Sequence, residues 1–231
     1  MFWRILWRLL YASRGRLVLA ILAVASGATV CAALLNLELE ATDKLTREFR
    51  ALGANVIVSA APSVDGPAFV DLGAMDKINN LHLREVVASA PYLYLSAEAK
   101  AGENRTGAIV AGTWFDEAAR INSGWKVDGN WVALRDNRSD CLIGELAASR
   151  LGLVPGKSVT VSYAGREATL RVVGIVTAGS SEDSQIFIGL PLAQELSGLG
   201  DRITLIQIMA RGSTTEMEDV IQQLSIALSG L

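Results

Sequence analysis

The sequence predicts an α+β extracytoplasmic domain carried on an N-terminal transmembrane helix that continues into a stalk. Three observations predict it. Residues 17–37 hold no charged side chain, apolar residues at helical spacing continue beyond them to Leu52, and from Asn55 onward short strand patterns alternate with short helix patterns. Strands and helices mixed in that order give sheets covered mainly on one face. The chain of 231 residues therefore divides into a cytoplasmic interfacial segment (1–16), a transmembrane helix (17–37), a helical stalk (38–53) and a mixed domain (54–231) of two lobes.

The uncharged stretch is long enough to span a bilayer, since at about 1.5 Å per residue it makes a helix of roughly 31 Å against a hydrocarbon core of about 30 Å. Arg4, Arg8, Arg14 and Arg16 precede it and Glu38, Glu40 and Asp43 follow it, so the N-terminus stays cytoplasmic. A cleaved signal peptide has a shorter apolar region and a small-residue cleavage site, and Val30 before Cys31 is wrong for a lipoprotein signal, which leaves an uncleaved anchor. Before the span, Phe2, Trp3, Trp7 and Tyr11 with Arg4 and Arg8 suit a segment lying in the cytoplasmic interface of the lipid bilayer.

Leu34, Leu37, Ala41, Leu45, Phe49 and Leu52 form one apolar stripe on the stalk, with Lys44, Arg47, Glu48 and Arg50 on the wet side and Gly53 as its stop. Such a stripe needs a partner: its own domain, a second subunit or further membrane helices. Leu45, Phe49 and Leu52 are the candidate contacts. The 21 basic and 24 acidic residues of the chain are unevenly placed. Beyond the span, 17 basic residues face 24 acidic ones, a net charge of −7, which excludes nucleic acid as a partner because phosphates require a basic footprint. Cys31 lies in the span and Cys141 in the domain, so they form no disulfide framework, and Cys141 reads as a buried strand residue.

Within the domain, Asn55–Ala60 reads as a buried-type strand, and a helix capped by Asp71 follows with Leu72, Met75 and Ile78 on its apolar face. Val86–Ala90 and Tyr92–Ala99 read as two strands separated by Pro91, the second pairing with Arg105–Gly112 across Gly102-Glu103-Asn104. Thr113–Asn122 is a short helix, and Trp125 to Trp131 a turn bracketed by two rings. Cys141–Gly144 is a strand, Glu145–Leu151 a helix, and Ser158–Tyr163 with Ala168–Thr177 a hairpin turning at Ala164-Gly165-Arg166-Glu167. Gln185–Ile188, Leu190–Leu196, Thr204–Ala210 and Thr214–Leu228 close the chain as strand, helix, strand and amphipathic helix.

Residues 141–147 (Cys-Leu-Ile-Gly-Glu-Leu-Ala), 151–161 (Leu-Gly-Leu-Val-Pro-Gly-Lys-Ser-Val-Thr-Val) and 170–176 (Leu-Arg-Val-Val-Gly-Ile-Val) resemble, in that order, the extracytoplasmic core of MacB-type and FtsX-like ABC transporter permeases. Leu52-Gly53-Ala54-Asn55-Val56-Ile57-Val58 is similar to the way those permeases enter their ectodomain, and residues 183–196 to their late strand-to-helix segment. The resemblance implies a domain of the MacB periplasmic-core type in the bacterial inner membrane. It further implies a second permease copy and a separate cytoplasmic ABC ATPase subunit, with the permease itself doing no chemistry. In that family three more membrane helices follow the ectodomain, whereas this sequence stops at Leu231; it is a fragment of a longer permease or a stand-alone half.

No catalytic, cofactor or metal site is expected. Gly156-Lys157-Ser158 lacks the first glycine of a phosphate loop and leads into a strand pattern, so it reads as a Pro-Gly turn. His82 is the only histidine, which excludes a two-histidine metal site, and Ser180–Ser184 with Glu182 and Asp183 reads as a solvated loop. Trp114, Phe115, Trp125 and Trp131 are either core packing or a contact surface for an extracytoplasmic protein partner, with Trp125 leaning to core and Trp131 to exposure. Two functions follow: a permease subunit passing ATPase-driven motion to its ectodomain through a stiff helix without Pro or Gly between Ala28 and Leu52, or a single-pass sensor or adaptor domain with no transport role.

Overall fold

The alternating apolar pattern of Leu93, Leu95, Ala97 and Ala99 is realised in a strand longer than the sequence reading allows. A computed structural model describes residues 22–31, 54–61 and 68–229. The chain divides into two units, Met1–Phe49 and Arg50–Leu231. In the first, residues 22–31 are helical with Leu22, Val24 and Val30 exposed, and the hydroxyls of Ser26 and Thr29 donate to Ala23 O (2.9 Å) and Ala25 O (2.8 Å). Those bonds satisfy both hydroxyls within the helix itself. Among the described residues no helix is long and apolar enough to cross a membrane. Most of the expected span, and the whole stalk with Leu45, Phe49 and Leu52, lie outside the described residues.

The second unit contains β1 (Val56–Ser59), β2 (Val70–Asp71), α1 (Ala74–Asn80), β3 (Val86–Ala101), β4 (Asn104–Thr113), α2 (Phe115–Ile121), β5 (Lys126–Gly129), β6 (Asp140–Gly144), α3 (Glu145–Leu151), β7 (Ser158–Tyr163), β8 (Arg166–Thr177), β9 (Gln185–Gly189), α4 (Leu190–Ser197), β10 (Arg202–Ile203), β11 (Leu205–Ala210) and α5 (Thr214–Leu228). The main sheet runs β1-β11-β3-β4-β9-β6-β8-β5, and β7 bridges β3 and β8. The pairings β3–β4–β9–β6–β8–β7–β3 thus close on themselves as a six-strand circuit. Each of those strands sends side chains into one buried cluster, among them Leu95, Val110, Ile186, Ile143, Val172 and Val161. Closure removes open edges within the circuit, and α4 packs against β3, β4, β7, β8 and β9.

A second cluster lies on the opposite face of the sheet. Ala88, Ala90 and Tyr92 have the opposite parity along β3 to Leu93, Leu95, Ala97 and Ala99 of the first cluster, and they meet Phe115, Ala118 and Ile121 of α2, together with Leu142, Phe187 and Met209. The two expected lobes are therefore two cores divided by one sheet within a single unit.

Pro91 does not break β3, contrary to expectation. Thr204 N–H donates to Tyr92 O (2.8 Å), so the Tyr92 backbone faces β11 and that of Pro91 faces the β4 side. There the ladder ends with Thr113 opposite Tyr92, and the missing N–H of Pro91 has no partner to lose. The stretch between Trp125 and Trp131 is likewise not a free turn: Lys126–Gly129 pairs antiparallel with Gly174–Thr177. The strand signal is weak because its side chains are mostly exposed on a sheet edge. Both hairpin turns appear where the glycines place them. Gly102 (φ +58°) occupies the first position of the β3–β4 turn, and Ala164 (φ +50°) with Gly165 (φ +82°) makes the two-residue β7–β8 turn.

Candidate functional surfaces

Asn55, which precedes β1, extends the sheet with its side chain. Its amide Nδ2 donates to Ala210 O (2.7 Å) and its Oδ1 accepts from Ala210 N–H (2.9 Å), reproducing a backbone pair, while its own N–H donates to Ile208 O (3.1 Å). The incoming chain is thereby locked to β11, which pairs directly with the long β3. An asparagine before a strand carries no sequence signal for this role, because its partner is 155 residues away.

The last helix, α5, lies beside β1. Residues 56–59 and Ile221, Leu224, Ser225 and Leu228 line one open groove of about 270 Å³. Val220 and Leu224 are buried and Met217 and Leu228 half-buried against the first cluster. Ser213 and Glu216 close a capping box at the start of the helix, with Ser213 N–H donating to Glu216 Oε2 (2.6 Å). That bond, with a second from the Ser213 hydroxyl, holds the Glu216 carboxyl below its usual range.

The aromatic group divides in a way the sequence does not reveal. Phe115 is fully buried. Trp131 is half-buried: its indole N–H donates to Phe115 O (3.0 Å), and its ring lies 6.1 Å from that of Trp125, itself 4.9 Å from Phe187. Trp114 carries the Arg135 guanidinium 4.5 Å above its ring. Arg135 Nε donates to both carboxylate oxygens of Asp116 (3.0 and 2.9 Å). Burial works against ionisation of Asp116, but the bonds and charge of Arg135 prevail and hold the carboxyl below its ordinary range. These contacts pin the 131–136 loop to α2 and leave Leu134 at its tip 68% exposed.

The acidic segment is not a solvated loop, which corrects the sequence reading. Ser181–Ser184 is a 3-10 turn with Asp183 buried, its carboxylate accepting from Ala178 N–H (2.6 Å) and Gly179 N–H (3.0 Å). The turn sits so close to Gly144 that a Cβ there would overlap the backbone of Glu182 and Asp183. Beside it a cleft of about 280 Å³ is lined by Asn122, Trp125, Ser180, Glu182 and the chain at 178–179. Elsewhere, Gly156 (φ +91°) turns the chain into β7, His82 is exposed just past α1, and Cys141 is fully buried, which pushes its thiol up to about 12 with Asp140 adding to the shift. Among the described residues no group of three metal-ligating side chains is gathered.

A sequence profile covers nearly the whole of this architecture. The MacB-like periplasmic core domain matches residues 17–225. The chain belongs to that family. Its fold is similar to the periplasmic region of MacB from Actinobacillus actinomycetemcomitans, at a TM-score of 0.59 and 18% identity over 79% of this chain and 88% of that one. It is also similar to the extracellular domain of the noncanonic ABC-type transporter YknZ from Gram-positive bacteria, at a TM-score of 0.57 and 16% identity over 75% of this chain and 93% of that one. No curated protein matches the sequence.

Proposed function

We propose that this chain is a permease subunit, or the N-terminal part of one, of a MacB/FtsX/Lol-like ABC transporter in the bacterial inner membrane. Its N-terminus is cytoplasmic and residues 38–231 are extracytoplasmic. The observation that carries this reading is the reach of the family profile, which begins at residue 17 and so takes in the apolar segment together with the domain. A separate cytoplasmic ABC ATPase hydrolyses ATP, two permease copies assemble, and the membrane helix and stalk pass the resulting motion upward.

Two features of the domain support transmission. The strand by which the chain comes in and the helix by which it leaves line the same groove, so both connections act on one corner. Displacement of β1 is delivered to β11 and β3 through antiparallel ladders that carry one register shift, between Met209 and Ala210 of β11, where Asn55 reinforces the pairing. Leu45, Phe49 and Leu52 are the stalk residues that meet a partner, and Trp131 stands beside the loop that faces an extracytoplasmic protein. Copurification of the permease containing this sequence with the ABC ATPase encoded beside it, followed by ATP turnover, tests the proposal. A stable complex with altered turnover is expected; an ATPase that neither binds nor responds favours the adaptor instead.

A further inference from the structure

The cleft beside Trp125 has a consistent chemical character. Three elements build its walls and each is fixed from behind. Asn122, at the end of α2, donates its amide hydrogens to Ala118 O (3.0 Å) and to the buried Tyr92 Oη (3.2 Å), so its Oδ1 is the part left for the cleft. Trp125 is held against Phe187 and Trp131. The 3-10 turn that carries Glu182 is clamped by the two N–H groups that bond Asp183, and seated over Gly144 where no side chain fits.

The polar side chains on these walls offer acceptors. The Ser180 hydroxyl donates to Glu182 Oε2 (2.5 Å) and the Ser181 hydroxyl donates to the same oxygen (3.2 Å), so their hydrogens are used while their lone pairs remain. Glu182 keeps its second carboxylate oxygen, and Asn122 its Oδ1. Among the described residues the indole N–H of Trp125 is the side-chain donor left on the wall, and no lysine, arginine or histidine lines the cleft. A carboxylate, neutral acceptors and an aromatic ring around one concavity favour a cation that carries its own N–H donors, through charge-assisted hydrogen bonds and attraction to the ring. An anion would meet a carboxylate with no compensating positive group. The volume of about 280 Å³ admits a group of a few heavy atoms.

We infer that this cleft is a binding site for a primary ammonium group on a short apolar body, the ammonium on Glu182, Asn122 and Ser180 and the apolar body on Trp125. The site is independent of the permease reading, because it uses only residues of the domain. The test is a titration of the full chain in zwitterionic nanodiscs at constant ionic strength, followed by tryptophan fluorescence. The probes are n-butylammonium chloride, its neutral analogue 1-butanol and sodium butyrate.

Saturable binding of n-butylammonium in the millimolar range is expected, as fits a ligand of so few atoms, with no saturation by butanol or butyrate. Glu182→Gln, isosteric and still able to accept from both serines, is expected to weaken binding about tenfold or more. Trp125→Phe is expected to lower affinity while keeping selectivity for the amine over the alcohol. Equal response to butanol, or unchanged affinity in a folded Glu182→Gln variant, overturns the site. Should Glu182→Gln lower the melting temperature, the contrast between butylammonium and butanol on the unaltered chain decides the matter alone.

Discussion

Trp131 is held by two kinds of contact, ring against ring and indole N–H to the Phe115 carbonyl, and they can be separated by substitution. Trp131→Phe keeps most of the apolar contact and removes the hydrogen bond, which is expected to cost about 1 kcal/mol. Trp131→Ala removes both and is expected to cost about 3 kcal/mol, the low end for an aromatic because the ring is half exposed. Urea unfolding of the two variants measures the difference, and equal stability of both to the parent refutes the packing role. Cys141 supplies a second residue-scale expectation. Its thiol, pushed up to about 12 by burial, stays protonated and covered at pH 8. Maleimide is therefore expected to modify Cys141 only when urea opens the domain, and rapid labelling at Cys141 itself, in a folded protein whose exposed Cys31 is replaced by Ser, contradicts its burial.

At the scale of elements, the β7–β8 turn carries a non-glycine residue in the left-handed region. Ala164 sits at φ +50°, where a Cβ costs about 1 kcal/mol that glycine does not incur. Ala164→Gly is expected to raise stability by several tenths to about 1 kcal/mol despite the looser unfolded chain, measured by the urea midpoint at unchanged slope. A lower midpoint shows that the turn is not strained.

The same turn shows what was legible in the sequence. Gly102 and Gly165 announce both hairpins, and the apolar runs at 141–144, 185–189 and 205–210 announce central strands, because local chemistry alone decides them. The misreadings arise where a distant partner decides. Pro91 is tolerated because β4 stops one residue short of it; β5 is a strand because β8 offers an edge; Asp183 is buried because the backbone at 178–179 turns back onto it. The candidate cleft was illegible for the same reason, since Asn122, Trp125 and Glu182 come together only after the sheet forms.

At the scale of the whole molecule, the first strand and last helix of the domain line one groove, and the family profile spans the apolar segment as well as the domain. The proposed orientation rests on the arginines before residue 17 and the acids after residue 37. A reporter fused after residue 2 is expected in the cytoplasm and one after residue 229 outside it, and the opposite labelling overturns the orientation. The transmission claim is tested most directly by ATP turnover of the cognate ABC ATPase, reconstituted in lipid nanodiscs with the permease that contains this sequence. A stable complex is expected, with a turnover that depends on the permease and is disturbed when Leu45 and Phe49 are both replaced by Asp. An ATPase that ignores the permease, or a complex indifferent to those two substitutions, contradicts the claim.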